Sequence, residues 1–130
     1  MNDSFPVSPP RAWAEVDLGA LERNVEAARK ASACELMVVV KAGAYGHGLE
    51  EVTRRLESDR IAFFGVANVG EARRIRNAGV QTPIYLLGAT WAGEREEIVA
   101  RGWTPCLSTL EEADHFNRLA RDSGEKLKVH

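Results

Sequence analysis

Lys41 is the residue of this chain that is best placed to do chemistry. It follows the apolar run Val38–Val40 and precedes a glycine-rich stretch. A lysine at the end of a buried strand is costly unless it is solvated, paired or covalently used. Apolar surroundings disfavour the ammonium form, which would make a neutral amine available as a nucleophile toward carbonyls or as a general base. Lys41 therefore favours Schiff-base chemistry, with an aldehyde substrate or with pyridoxal phosphate (PLP).

The stretch after Lys41 adds groups that could hold an anion. Gly43, Gly46 and Gly48 allow a tight turn, and the start of a following helix favours a phosphate. Tyr45 could reach that phosphate or a cofactor ring, and His47 could act as an acid or a base. Each feature also has a structural interpretation, because strand-end lysines are commonly solvated or salt-bridged. The residues alone therefore predict an α/β domain with a candidate site at Lys41.

Strands and helices alternate along the chain, and they would have to position this site. Apolar runs predict the strands, and apolar residues spaced three or four apart predict the helices. Asp17 suits the N-cap of the first helix, and Ser108 with Glu111 fits a capping box for the last. The predicted strands are Ala12–Leu18, which is short, then Glu35–Val40, Ile61–Ala67, Ile84–Leu87, Thr104–Leu107 and Lys126–His130. The predicted helices run from Leu18 to about Ser32, from about Gly48 to Glu57, from Val69 to Gly79, from Glu94 to Arg101 and from Ser108 to about Gly124.

Two architectures fit this order, which repeats about every twenty residues and predicts a parallel sheet. One is a doubly wound open sheet, and the other is a (β/α)8 barrel of the TIM type, which usually needs about 250 residues. No dinucleotide fingerprint follows the first core strand. The chain stops within its last predicted strand, at Val129-His130. We therefore predict an α/β fold of the TIM-barrel type with only about the first five βα units present, as in a truncated chain.

Composition narrows the function classes. The 130 residues are 45% hydrophobic and 28% charged with a net charge of −2, which predicts a globular domain that binds neither nucleic acid nor a membrane. Residues 1–10 lack the order of a signal peptide, so we expect a flexible leader and a cytoplasmic protein. Cys34 and Cys106 have no metal-type spacing, so we expect two free thiols, buried or half-buried, and no metal.

A longer motif around Lys41 resembles a known family. Residues 40–48, Val-Lys-Ala-Gly-Ala-Tyr-Gly-His-Gly, resemble the PLP-attachment sequence of bacterial alanine racemases. Trp13–Leu18 resembles the opening of that family's barrel. Phe64–Ala67 with Glu71-Ala72, and Pro83–Gly88, resemble its second and third strands. The resemblance covers residues 11 to 130 in the family's order.

The resemblance implies roles for individual residues. Lys41 would hold PLP as an internal aldimine and would act as the base that serves D-alanine. Tyr45 would contact the cofactor phosphate, and Leu87 would line the cofactor pocket. His47 would make a structural hydrogen bond in the turn. Gly43 stands where Asp or Asn is commoner in the family, and we expect this difference to change the stiffness of the turn.

The resemblance also implies parts that this sequence lacks. The later barrel strands and a C-terminal β-domain, which brings the opposing tyrosine base, would lie beyond His130. We therefore expect that this chain is part of an alanine racemase, which acts as a homodimer in the bacterial cytoplasm and supplies D-alanine for peptidoglycan. We expect the chain alone to be inactive. Open sheet edges would leave the chain marginally stable or prone to associate. Three alternatives stay open: a racemase of another amino acid, a non-catalytic PLP-binding protein, and a structural remnant in which Lys41 is silent.

Overall fold

The computed structural model describes residues 12–57 and 61–130. The predicted leader, residues 1–10, lies outside this part. The strands of the described part are β1 (Leu36–Val39), β2 (Ile61–Val66), β3 (Ile84–Leu86) and β4 (Thr104–Pro105). The helices are α1 (Leu18–Ser32), α2 (Lys41–Tyr45), α3 (Leu49–Leu56), α4 (Val69–Asn77), α5 (Arg95–Ala100) and α6 (Leu110–Ser123), with a 3-10 turn at Ala92–Glu94 before α5.

The strand order decides between the two predicted architectures. All pairs are parallel, and the order across the sheet is β1-β2-β3-β4, the same as the order in the chain. A doubly wound sheet reverses its strand order at a switch point, whereas a barrel adds each strand beside the previous one. The prediction of a TIM-barrel-type fold is confirmed, and β1 lies at an open edge of the described sheet.

The two faces of the sheet differ in burial because successive side chains of a strand point to opposite faces. Phe64 and Ile84 are paired in register and almost wholly buried. They share one apolar core with the helix residues Val52, Ile75 and Ile98. The opposite face carries Met37, which is 43% exposed. The core therefore lies between the sheet and its helices, and the other face is less covered.

Three local predictions differ from the structure. Residues 12–17 form no strand; the alternation there has no neighbouring strand to pair with, and Trp13 is 78% exposed. The N-cap of α6 is Thr109, whose side chain accepts from the N–H of Glu112, so the predicted capping box at Ser108 is one residue early. Lys126–His130 is not a regular strand, although the backbone of His130 exchanges two hydrogen bonds with Pro105 and Leu107 of the β4 segment.

Several other expectations are confirmed. Asp17 caps α1 by accepting from the N–H of Ala20 at 2.9 Å, and α4 ends just before Gly79, whose φ is +89°. Cys34 and Cys106 are free, but Cys34 is exposed rather than buried. No helix within residues 12–57 and 61–130 is long and apolar enough to span a membrane.

Candidate active site

Lys41 lies where β1 leaves the sheet. The N–H of Val40 still donates to the carbonyl of Gly65 on β2, at 2.8 Å, and α2 begins at the next residue. The Lys41 side chain is exposed, and it forms no ion pair with the residues that the structure describes. The predicted position at the C-terminal end of a strand is correct. The predicted apolar enclosure is not present within the described part of the chain, where β1 pairs with β2 alone.

The backbone after Lys41 forms a left-handed turn. Ala42, Gly43 and Ala44 have φ of 53°, 64° and 55° with ψ of 45°, 40° and 46°, and Tyr45 has φ of 54°. Only glycine adopts this region without cost, and other residues lose about 1–2 kcal/mol each. Three non-glycine residues in this conformation need support from the surrounding structure.

Hydrogen bonds close this turn at both ends. The N–H of Ala44 donates to the carbonyl of Val40 at 2.7 Å, and the N–H of Gly48 donates to the carbonyl of Gly43 at 3.1 Å. His47 Nδ1 lies 2.9 Å from the carbonyl oxygen of Ala44. Because a carbonyl only accepts, Nδ1 carries the proton in this contact. The predicted structural hydrogen bond of His47 is thus confirmed.

Glu71 connects this turn to the neighbouring βα unit. Its side chain is buried in the first turn of α4. Oε2 accepts from the N–H of Ala67 at 2.9 Å, and Oε1 accepts from the N–H of Gly43 at 3.3 Å. One carboxylate therefore joins the end of β2 to the turn that follows Lys41.

Leu87 reaches the same end of the sheet. A Cβ added to Gly65 would lie 3.3 Å from Leu87 Cδ1 and 3.3 Å from Val39 Cγ2. Leu87 thus packs across β2 toward Val39 of β1, and Val39 lies two residues before Lys41. A Cβ on Gly88 would lie 2.5 Å from the carbonyl oxygen of Ala67, so the close approach of β3 to β2 requires glycine there.

Tyr45 is 59% exposed and takes no part in a described hydrogen bond. It borders a groove of about 410 Å³ whose lining includes α1, β1 and His47 but neither Lys41 nor Leu87. The sequence predicts that the start of α3 attracts a phosphate. Glu50 and Glu51 occupy its first turn, and an Oε2 of Glu51 would lie 2.7 Å from a Cβ on Gly48. The negative charges of these two carboxylates disfavour the binding of a phosphate at that helix end.

The residues at this end of the sheet include one group that PLP requires, an exposed primary amine. Covalent attachment of PLP needs a primary amine that can reach an aldehyde. Lys41 supplies such an amine, exposed and without a carboxylate partner among the described residues. No group of three or more metal-ligating side chains occurs within residues 12–57 and 61–130.

Glu71 is a residue of the site that the sequence pattern does not predict. The spacing does indicate a helix start, because Asn68 and Glu71 lie three residues apart, as an N-cap residue and a glutamate at N3 do in a capping box. That spacing predicts a cap, and the Asn68 side chain does accept from the N–H of Glu71 at 3.0 Å. The reach of the carboxylate to Gly43, 28 positions earlier, has no local signal.

The fold and the site define a parallel α/β barrel-type domain with an exposed lysine at the C-terminal end of its first described strand. The family model "Alanine racemase, N-terminal domain" matches residues 16–130. The chain belongs to this family.

Individual relatives agree with this assignment. An alanine racemase of Desulfosudis oleivorans is 38% identical over 121 residues, which are 92% of this chain and 31% of that protein. One from Synechocystis is 38% identical over 124 residues, covering 92% of this chain and 33% of the relative. The crystal structure of alanine racemase from Streptomyces lavendulae superposes with a TM-score of 0.81 at 33% identity, over 94% of this chain and 32% of that one. The chain thus spans about a third of the length of the relatives that it matches.

Proposed function

We propose that the full-length protein carrying this chain is a PLP-dependent isomerase that interconverts L-alanine and D-alanine. The observation that carries the proposal is the position of Lys41 at the end of β1, within a motif that resembles the PLP-attachment sequence of the family. Its side chain is exposed and has no carboxylate partner among residues 12–57 and 61–130. Membership of that family and the alanine racemases among its relatives support the choice of alanine.

The residues of this chain would then divide the work. When bound, PLP supplies an electron sink that makes the Cα proton of an amino acid removable. Lys41 would attach the cofactor, and its freed amine would hold or move the Cα proton on the side that serves D-alanine. Tyr45 would contact the cofactor phosphate through its hydroxyl, and Leu87 would form part of the apolar wall beside the cofactor.

Racemisation needs a proton donor on each face of the substrate carbon. This chain would supply one of them, Lys41, and the family resemblance assigns the opposing base to a tyrosine in a C-terminal β-domain. We therefore propose that the 130-residue chain alone does not racemise alanine. The full-length protein would act as a homodimer in the cytoplasm and would supply D-alanine for peptidoglycan.

The attachment of PLP is tested by reducing the full-length protein with borohydride in the presence of PLP and mapping the labelled peptide by mass spectrometry. We expect the label on Lys41, and we expect Lys41→Ala to abolish it. Lys128→Ala is the matched control, because Lys128 is also an exposed lysine, and it should leave the label at Lys41 unchanged. A folded protein that takes up no label, or one labelled equally after Lys41→Ala, would refute the proposal.

A racemase of another amino acid is the second candidate. The structure of a histidine racemase from Leuconostoc mesenteroides superposes with a TM-score of 0.76 at 28% identity over 86% of this chain, so this fold region also occurs in an enzyme named for a different substrate. Comparing the rates for alanine, serine, lysine and histidine by chiral chromatography separates the two. A higher rate with one of the other three amino acids would favour the second candidate.

A further inference from the structure

Two helices of this chain begin in the same way. In α4 the N-cap Asn68 accepts from the N–H of Glu71, and in α6 the N-cap Thr109 accepts from the N–H of Glu112 at 3.1 Å. The Glu71 carboxylate accepts from the N–H of Ala67 at 2.9 Å, and the Glu112 carboxylate accepts from that of Ser108 at 2.8 Å. Both glutamates are 8% exposed. Each therefore fixes the entry of the chain into its own helix.

Glu71 and Glu112 differ in the partner of the second carboxylate oxygen. For Glu112, Oε1 faces Nη2 of Arg95 on α5 at 3.5 Å, which is a contact between two helices. For Glu71, Oε1 accepts from the N–H of Gly43 at 3.3 Å, which lies in the left-handed turn immediately after Lys41. Only the contact of Glu71 with Gly43 leads to the candidate site.

We propose that Glu71 is a positioning residue for Lys41. Its carboxylate holds the left-handed turn against the end of β2. Because this turn directly follows Lys41, it keeps the Lys41 amine at the C-terminal end of β1. The inference rests on the proposed function, because it assigns Glu71 a part in binding PLP at Lys41. A carboxylate suits the task, since each of its oxygens accepts one backbone N–H and hydrogen bonds to a charged acceptor are stronger than neutral ones.

Glutamine at position 71 has nearly the same shape but only one accepting oxygen. Glu71→Gln therefore keeps at most one of the two backbone contacts. Glu112→Gln is the matched control, because it disturbs an equivalent helix start without touching the Lys41 turn. Glu71→Asp is the second variant; it keeps the charge and shortens the reach by one methylene, so that it remains informative if the glutamine variant does not fold.

The experiment compares these variants in the full-length protein by three measurements. Hydrogen exchange followed by mass spectrometry reports on the peptide that covers residues 41–48 without any cofactor. Borohydride trapping at a series of PLP concentrations gives the apparent affinity at Lys41. Urea unfolding gives the loss of stability. We expect Glu71→Gln to speed exchange in residues 41–48 about tenfold and to weaken PLP attachment about tenfold, whereas Glu112→Gln leaves both unchanged.

The outcomes separate the inference from the proposed function. Equal effects of Glu71→Gln and Glu112→Gln on exchange and on attachment, at equal loss of stability, would overturn the positioning role. Unchanged exchange in residues 41–48 with Glu71→Gln or Glu71→Asp would overturn it as well. If the unsubstituted protein attached no PLP, the proposed function would fail, and the exchange measurement would still decide whether Glu71 holds the turn.

Discussion

The backbone of residues 42–45 is the least expected feature at the scale of single residues. Each non-glycine residue in the left-handed region costs about 1–2 kcal/mol, and Ala42, Ala44 and Tyr45 all occupy it. Gly43, at φ +64°, is the one member of the turn that adopts it freely. The hydrogen bond from its N–H to Glu71 helps to hold the other three in place.

Replacing Gly43 by alanine is expected to cost about 1 kcal/mol of unfolding free energy. The cost is conformational, because a Cβ at this position would meet no atom within 4 Å. Asparagine tolerates the left-handed region better than alanine, so Gly43→Asn should cost less. Urea unfolding of the three proteins gives the free energies.

Gly93→Ala is the matched control for these substitutions. A Cβ there also meets no atom within 4 Å, and the φ of Gly93 is not in the left-handed range. It should change the unfolding free energy by less than about 0.5 kcal/mol. A Gly43→Ala protein as stable as Gly93→Ala would contradict the strain that we assign to the turn.

The site could be predicted from the sequence only where local rules act. The position of Lys41 at a strand end follows from neighbouring residue types, and the turn hydrogen bond of His47 is what the family resemblance implies; both are confirmed. The exposure of Lys41 depends on β1 being at an open edge, and the contact of Glu71 with Gly43 depends on how two βα units pack. Neither property is encoded within a window of ten residues.

At the scale of elements, the order of strands and helices was predictable and the details of their ends were less so. Asp17 stands alone as a cap candidate, and α1 begins where it predicts. Before α6, Ser108 and Thr109 are both good N-caps, and each has a glutamate three residues later. The sequence does not choose between these two registers. The structure uses Thr109, which leaves the buried Glu112 free to bind the N–H of Ser108.

Ion pairs link neighbouring helices across the outside of the sheet. Arg74 on α4 binds Glu50 on α3 through two hydrogen bonds of 2.7 and 2.8 Å, and Arg73 binds Glu97 on α5. The hydrogen bond from Arg74 lowers the pKa of Glu50, and that from Arg73 lowers the pKa of Glu97. Both glutamates therefore favour the folded state when they are ionised.

The pH dependence of stability follows from this direction. A carboxyl group whose pKa is lowered by folding stabilises the protein above its unfolded pKa of about 4.3, and this contribution is lost as the pH falls through the lower, folded-state value. Glu50→Gln should thus reduce the unfolding free energy by less than about 1 kcal/mol at pH 7, because the pair is partly exposed. The difference from the unsubstituted protein should shrink toward zero as the pH falls below about 4.

Urea unfolding at several pH values checks this prediction. Glu111→Gln serves as the control, because Glu111 is an exposed glutamate of α6 and takes part in no described ion pair. Its difference from the unsubstituted protein should stay small at every pH. A Glu50→Gln difference that is constant or grows as the pH falls would contradict the assigned direction.

At the scale of the whole molecule, the described sheet is an arc of a barrel. Its four parallel strands run in chain order, and closing a barrel requires further strands to pair with the open edge of β1. Met37, on the face that becomes the inside of a closed barrel, is 43% exposed. The parallel sheet was predictable because it follows from the repeat of strand and helix. That repeat fits both a barrel and a doubly wound sheet, and the strand order of the structure decides between them. The chain spans about a third of the length of its relatives.

The measurement that tests the central claim most directly is the racemisation of alanine by the full-length protein with PLP, followed by chiral chromatography. We expect interconversion of the two enantiomers, its loss with Lys41→Ala and its retention with Lys128→Ala. We expect no interconversion by the 130-residue chain alone. A full-length protein that carries PLP on Lys41 but racemises no amino acid would contradict the claim and would favour a non-catalytic PLP-binding role, and racemisation that survives Lys41→Ala would contradict the assignment of this lysine.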